Sequence, residues 1–539
     1  MTLRHVRDER RAAKPACPPD PGRPRAAWAA SQRCATLLLA LCGLAYSQAP
    51  PPAPGSQGAQ LPLSGRTGQT GSVSAIQTPL PGVTSSVNTL NTSVQVQGPF
   101  QGSVAGKPFS GKLSLRDALA RGLEYNLGAV GLTQAMRQAR GQARVARSSL
   151  LPNLNGYLRE SVQQTNLEAL GLRLSIPVRG FSIPTIVGPF NYYDLRATLT
   201  QTVADLTAVN NYRSAQELVR ANGAALRDAR DLVVLAVGGA YLQVIAAEAR
   251  VRAAQAQIDS AQALFKQTQD RRSVGLNPQI DVNRSQVQLQ TQQQRLMTLQ
   301  NDLAKQKINL ARLTGLPPNE NYGITDEIAY APAPALTVEQ ALAQAYEKRA
   351  DLQAAEAQVR AAERSRSAAR AQRLPSLALS ADYGAIGINP AQSHGTFTVV
   401  GTLRIPIWQG GRDEGSIEQA GAALDQRRAE LADLRGRIEA DVRDALLDLK
   451  TAGSQLAVAR NNQSVARQTL DLTRQRFEAG ITDALEVTQA QESVMSADLD
   501  YITSLFAHNL AKTELARAIG GAEERLEQFL QFGAPEPRP

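Results

Sequence analysis

Few residues in this 539-residue sequence are of types and spacings that do chemistry. The three cysteines, Cys17, Cys34 and Cys42, stand near the start, and everything after Cys42 is cysteine-free. The body therefore has no disulfide framework, thiolate metal site or cysteine nucleophile. His5, His394 and His508 are too scattered along the chain to form a ligand cluster. GxxxxGK(S/T), HExxH, GxSxG and a GxGxxG after a strand are all missing, so phosphate cradling, zinc hydrolysis, serine hydrolysis and dinucleotide binding lack their signatures. The sequence predicts no enzyme, no cofactor and no metal site.

What remains must be explained by elements rather than reactive groups. The net charge is +10, and eight Lys/Arg against three Asp/Glu in residues 1–49 supply half of it. The rest is spread too thinly for nucleic acid as the main partner. Aromatics are only 4% of the chain, an alphabet of long paired helices rather than of a thick mixed core. At this length at least two structural units are expected. Arg33 precedes the apolar stretch 34–44, and Ala45-Tyr46-Ser47 offers small residues where a signal peptidase reads. Residues 1–47 are read as a signal peptide whose apolar part is too short to span a bilayer. Leu41 is large where a lipid-anchored Cys42 wants a small neighbour, which argues against lipidation. Residues 48–112, rich in Pro, Gly, Ser, Thr and Gln, cannot bury enough apolar surface to offset chain entropy. They and the tail 531–539 are expected to be disordered.

An internal repeat organises the rest. Shifted by 223 positions, 113–154 falls on 336–377 with twelve identities, among them Glu124/Glu347, Arg137/Arg360, Leu151/Leu374 and Pro152/Pro375. Further on the shift is 205, matching Arg271/Arg476, Gly275/Gly480, Val282/Val487, Lys307/Lys512, Arg312/Arg517 and Gly315/Gly520. The chain is a tandem duplication, with one structural repeat over 113–319 and a second over 320–530. The 18 residues lost from the second copy fall in the loop between its strands, about 386–395 against 163–190.

Each copy reads helix, strand, loop, strand, very long helix, turn, helix. In 376–385, Leu377, Leu379, Ala381 and Tyr383 alternate with Ser376, Ser380 and Asp382. Phe397, Val399, Leu403, Ile405 and Ile407 alternate with Thr396, Thr398, Thr402 and Arg404. In the first copy Tyr193, Leu195, Ala197 and Leu199 alternate with Asp194, Arg196, Thr198 and Thr200, while the strand around 153–162 is the least regular. The long helices carry heptads: Val233/Val237, Ala240/Val244 and Ala247/Val251 in one, Ile438/Val442, Ala445/Leu449 and Ala452/Leu456 in the other. A helix over 207–273 would run on the order of 100 Å. Its stretch 232–247 is nearly continuous in apolar and small residues, but it is short for a membrane span, contains Gln243 and keeps the heptad frame.

Alternating strands of about ten residues on an exported chain suit an outer membrane barrel. Four strands cannot close one, and an open sheet would present unpaired edges to lipid. Oligomerisation resolves this, since two chains give eight strands and three give twelve. The helices leave the strand ends on one side, so the barrel would continue as a helical cylinder and form a conduit.

From 113 to 530 these residues resemble the outer membrane efflux proteins of the TolC type. The marks are Leu336-Thr337-Val338-Glu339-Gln340-Ala341-Leu342 at the opening of a copy and Leu374-Pro375 before a strand. Ile405-Pro406-Ile407-Trp408-Gln409-Gly410-Gly411 looks like the family's strand-to-helix corner, and Arg476-Phe477-Glu478-Ala479-Gly480-Ile481-Thr482-Asp483 like its tip turn. In copy one, Gln201-Thr202-Val203-Ala204-Asp205 departs from the corner pattern. The resemblance implies a mostly helical fold with a small β part. Tandem-duplicated coiled-coil helices would form a periplasmic α-barrel, and four strands per chain would complete a trimeric twelve-stranded outer membrane β-barrel. It implies as partners the outer membrane lipid, a periplasmic adaptor (a membrane fusion protein) and an inner membrane pump, in a Gram-negative-type cell.

Two groups of site residues follow. The turns at Gly275-Leu276 and Gly480-Ile481 are helical hairpin turns on their own evidence, and the resemblance makes them adaptor-docking tips. Asp281, Glu486 and Gln489 stand where the family narrows its periplasmic end; a ring of Glu486 would favour cations. Both carboxylates are equally well read as helix-start residues favoured by the macrodipole. Two other functions compete: the outer channel of a protein-secretion system, which uses the same conduit, and a soluble coiled-coil scaffold, which would pack its apolar strand faces internally.

Overall fold

The computed structural model describes residues 99–530 apart from 110, 172–183, 320–321, 327–329 and 333–334. The expected signal peptide, most of the segment 48–112 and the tail 531–539 lie outside the described residues. The last part of 48–112 departs from the expected disorder. Phe100 is buried in the main core, and Gly106 N–H donates to the Gly315 carbonyl at 3.0 Å. Averaged composition hid one aromatic anchor.

The helix expected ahead of the strands is broken in two in each copy, at equivalent positions. Copy one has α1 (Leu115–Tyr125) and α2 (Leu127–Ser148), with Asn126 extended between them. The buried Asn126 amide donates to the Phe100 carbonyl at 2.8 Å and its oxygen caps α2 at Gly128 N–H. Copy two's equivalent break, Arg349, is buried and extended, and its guanidinium joins Asp351 at 2.8 Å to Asp441 at 2.9 Å. Ser114 and Thr337 cap the first helix of each copy, Thr337 through a full capping box with Gln340.

The chain continues in copy one through β2 (Asn153–Asn166), β3 (Ile186–Ala204), the long α3 (Leu206–Ser273) and α4 (Gln279–Thr314). Copy two runs α5 (Val338–Lys348), α6 (Ala350–Ala371), β5 (Ser376–Gly387), β6 (Ser393–Arg404), α7 (Arg412–Glu478), α8 (Ala484–Ala518) and α9 (Ala522–Leu530). The strand before α7 ends at Arg404, so Ile405 and Ile407 belong to the corner and not to the sheet. Two short strands, β1 (Lys112–Leu113) and β4 (Gly323–Ile324), pair in parallel.

The main sheet is antiparallel in the order β2-β3-β5-β6, so β2 and β6 are its edges. Residues opposite each other share a face. The register aligns Leu158 with Leu195, Leu195 with Ala385, Ala197 with Tyr383 and Tyr383 with Phe397, one apolar face running across all four strands. Leu154, Leu158, Val162, Tyr383, Phe397, Val399 and Leu403 on it are exposed. The scaffold reading required that face to be packed away, and it is not. On the opposite face Arg196 donates to Asp194 at 3.2 Å and to Thr396 at 3.3 Å, and pairs with Asp382. All four strands meet their helices at the same end of the sheet, as the antiparallel order demands.

α3 is the centre of the helical part, packed along α2 and α4 of its own copy and along α6 and α8 of the other. Its stretch 232–247 is apolar enough to cross a bilayer yet is mostly buried against these neighbours. There the Tyr241 hydroxyl donates to Asp326 at 2.7 Å and lies 3.0 Å from the Leu113 carbonyl, which shares its proton, tying the N-terminal segment to the core.

One buried carboxyl loads the helical part. Glu514 on α8 faces Asp448 on α7, and burial together with that charge pushes its carboxyl up to about 7. The ordinary value is 4.5, so between the two the folded protein holds a proton that the unfolded chain releases, and stability falls as pH rises through this window. Glu514→Gln is expected to reduce that loss by roughly 3 kcal/mol. Denaturant unfolding of the purified protein at pH 4.5 and pH 7.5 checks it; an unchanged difference between the two would refute the assignment.

Candidate functional site

The far ends of the long helices carry the first group of expected site residues. α3 ends with Gly275 at φ +77°, and α7 with Gly480 at φ +74°, backbone that favours glycine. In each case two N–H groups fold back on the helix end: Leu276 to Arg271 and Gly275 to Arg272, Ile481 to Arg476 and Gly480 to Phe477, at 2.8–3.1 Å. This is the Schellman arrangement, whose apolar residue after the glycine commonly packs back onto the helix. Here Leu276 and Ile481 stay exposed. The closure explains the glycines; it does not explain the bare aliphatic side chains.

The next helices start differently. Asp483 caps α8 through Leu485 and Glu486 N–H, both at 3.2 Å, whereas α4 begins at Pro278 with no side-chain cap. Glu486 and Gln489 lie on the exposed face of α8, and Glu486 reaches Arg476 only at 3.7 Å. Asp281, the equivalent of Glu486, is buried and lies 3.7 Å from Arg284. The structure therefore does not bring Asp281 to the surface that Glu486 and Gln489 share.

Sequence reasoning passed over the residue that joins the two tips. Arg271 Nη1 and Nη2 donate to the Phe477 and Glu478 carbonyls at 2.9 and 3.0 Å, and the guanidinium lies 4.5 Å from the Phe477 ring centroid. A cation there caps the negative end of α7 and stacks on its last aromatic. The identity Arg271/Arg476 marked the position but not its partner. Nearby, Glu492 gathers Gln288, Gln292 and Arg295 from α4, at 2.5, 2.6 and 3.3 Å. Such polar seams between copies leave no periodic signal in a sequence.

Among the described residues no group of His, Cys, Asp and Glu could hold a metal ion. What the geometry offers is a two-faced sheet, a polar network on one face, and helical hairpins with exposed aliphatic tips. A family model described as outer membrane efflux protein matches residues 132–316 and 341–521, one stretch in each copy. This chain belongs to the outer membrane efflux protein family. It is 25% identical over 454 residues to outer membrane protein OprJ of Pseudomonas aeruginosa, covering 80% of this chain and 88% of that one. It is 24% identical over 340 residues to the toluene efflux pump outer membrane protein TtgC of Pseudomonas putida, covering 60% and 69%. Among solved structures it resembles the CmeC outer membrane channel of Campylobacter jejuni, with a TM-score of 0.65 at 15% identity over 85% of this chain and 98% of that one. The efflux protein thus has the fold of the solved outer membrane channels.

Arg271→Met is expected to free the last carbonyls of α7 and remove a contact of about 1.5–3 kcal/mol. Amide exchange in 476–483 should speed accordingly, while exchange in the middle of α7 stays unchanged. Equal acceleration along the whole helix would show that Arg271 supports the fold at large and not the tip.

Proposed function

We propose that three copies of this efflux protein close a twelve-stranded barrel in the outer membrane. Their helices continue it into the periplasm as a passive conduit. The observation that carries this reading is the four-stranded sheet, apolar on one face and polar on the other, with both edges open. Lipid offers no hydrogen bonds to open edges, so β6 of one copy must meet β2 of the next. The energy for transport then belongs to partners. An inner membrane pump would supply it through a periplasmic adaptor gripping Leu276 and Ile481 beside Gly275 and Gly480. The name of the toluene pump relative favours small apolar cargo over secreted protein.

The narrow end of the conduit falls to Glu486 and Gln489, exposed on the first turns of α8. Asp281, buried beside Arg284, is part of the wall. Three copies of Glu486 around an axis would attract cations.

Membrane fractionation with the mass of the detergent-extracted particle tests the reading: outer membrane recovery and a three-chain mass are expected, and a soluble monomer or dimer sinks it. Leu158→Arg on the lipid-facing side of β2 should cost about 2–4 kcal/mol and lower recovery in the outer membrane. Glu486→Gln should reduce cation preference, read as the reversal potential across a planar bilayer under a salt gradient. An unmoved potential would place the selectivity elsewhere.

A further inference from the structure

The groove between α2 and α3 carries a charge pattern that its duplicate lacks. It has a volume of about 390 Å³ and is lined by Arg140, Arg144 and Arg147 of α2 and by Tyr212, Val219 and Arg220 of α3. α2 contains four arginines, Arg137 included, and no Asp or Glu. Glu217, the one carboxylate in 206–227, is taken by Arg220 and by Arg360 at 3.0 Å. Among the described residues no carboxylate pairs with Arg140, Arg144 or Arg147. Like charges three and four residues apart on one helix face repel, so the column is unfavourable until an anion joins it. The shift of 223 carries Arg140 to Glu363 and Arg144 to Ser367. In copy two Glu363 reaches Arg428 of α7 at 3.0 Å and Glu356 reaches Arg435 at 3.2 Å, so the equivalent groove is neutralised by its own ion pairs. Copy one keeps the cations and lacks the anions.

The groove stands beside the end of the sheet where lipid headgroups would lie. Leu154 and Leu403 are the apolar-face residues nearest the helical ends of β2 and β6, and both are exposed. Trp408, just beyond β6, is 87% exposed, and an indole suits the boundary between hydrocarbon and water. Arg147 precedes Leu154 by seven residues, and Tyr212 lies six residues into α3, roughly 9 Å from its start. The groove also opens outward. At about 100° per residue, Gln216, Arg220, Arg227, Asp231 and Gly238 share one side of α3. α9 packs on that side: Glu523 N–H donates to Asp231 at 3.0 Å, and a Cβ on Gly238 would lie 3.2 Å from Leu526. A helix packed on the inner side of a closed wall would obstruct the conduit, so this side faces out, as the apolar face of the sheet does.

We propose that this groove binds the phosphate of an anionic phospholipid from the periplasmic leaflet of the outer membrane. Guanidinium forks hold phosphate oxygens in pairs, and Arg140, Arg144 and Arg147 have no competing partner for them. Tyr212 and Val219 give the glycerol and the first part of the acyl chains an apolar wall. The chains then run toward Leu154. The bound lipid neutralises the arginine column and fastens the first turns of α3 to the bilayer. This rests on the outer membrane reading above and adds a lipid site to it.

The test titrates the detergent-extracted full chain with phosphatidylglycerol, with phosphatidylcholine of the same acyl chains and with inorganic phosphate, and counts lipid adducts by native mass spectrometry. Phosphatidylglycerol is expected to bind at about one molecule per chain, at least about tenfold more tightly than phosphatidylcholine. Arg140→Gln with Arg144→Gln and Arg147→Gln should abolish that preference. Arg116→Gln with Arg252→Gln and Arg460→Gln, an equal loss of charge at exposed positions elsewhere, should keep it. The readout is the ratio between two lipids for each protein, so a general loss of stability cancels from it. Arg144→Gln alone, a milder change, should lower the ratio in the same direction. A preference retained by the groove variants overturns the inference and leaves the conduit standing. Displacement of the lipid by millimolar inorganic phosphate does the same, since it would make the groove a site for a soluble anion. A chain recovered as a soluble protein overturns both.

Discussion

A β-sheet in lipid must satisfy every backbone group from within protein, because hydrocarbon supplies neither donors nor acceptors. In this chain the sheet is only four strands wide, and Leu154, Leu158, Phe397 and Leu403 commit one face to an apolar medium. The unpaired edges of β2 and β6 then become the most costly feature of the isolated protomer. Pairing them with further copies satisfies them. Because all four strands hand over to helices at one end, closure of the sheet would gather the helices on the same side. A barrel and a helical wall would then both follow from one hydrogen-bonding requirement.

Duplication makes the protomer economical and also makes it uneven. Two copies of one design give two nearly equivalent hairpins, yet within the chain each copy has different surroundings. Leu232, Val233, Tyr241 and Leu242 are sealed within the chain, whereas Leu447, Val458, Val465 and Leu472 on α7 are exposed. Buried and exposed members of equivalent pairs therefore reflect which side of each copy is covered within the chain and not different chemistry. An alanine-rich seam such as Ala445, Ala452 and Ala459 lets neighbouring helices approach closely over a long distance, which large side chains would prevent.

The sequence makes the architecture legible because its signals are local and periodic. Heptads locate the long helices to within a residue or two, the Leu-Pro pairs mark the strands, and Gly275 and Gly480 mark turns that need positive φ. Features that depend on a distant partner are not legible in this way. Asn126 and Arg349 look like ordinary helix residues until Phe100 and Asp441 are seen to hold them extended. Asp281 and Glu486 are equivalent in sequence, and only the packing around α4 and α8 separates a buried residue from an exposed one. Arg271 has no motif at all, since its partners are backbone carbonyls two hundred residues away.

A conduit selects by shape and field, and the charges here are placed unevenly for that. On the polar face of the sheet Arg159 lies opposite Asp194, and Arg196 bridges Asp194 and Asp382, so the field along that wall largely cancels. At the tip Glu486 has Arg476 at 3.7 Å, both half exposed, where water screens the pair. The charges of the sheet are paired across its strands, whereas at the helical tip Glu486 stays half exposed, so selection by charge has more to work with at the tip than along the sheet.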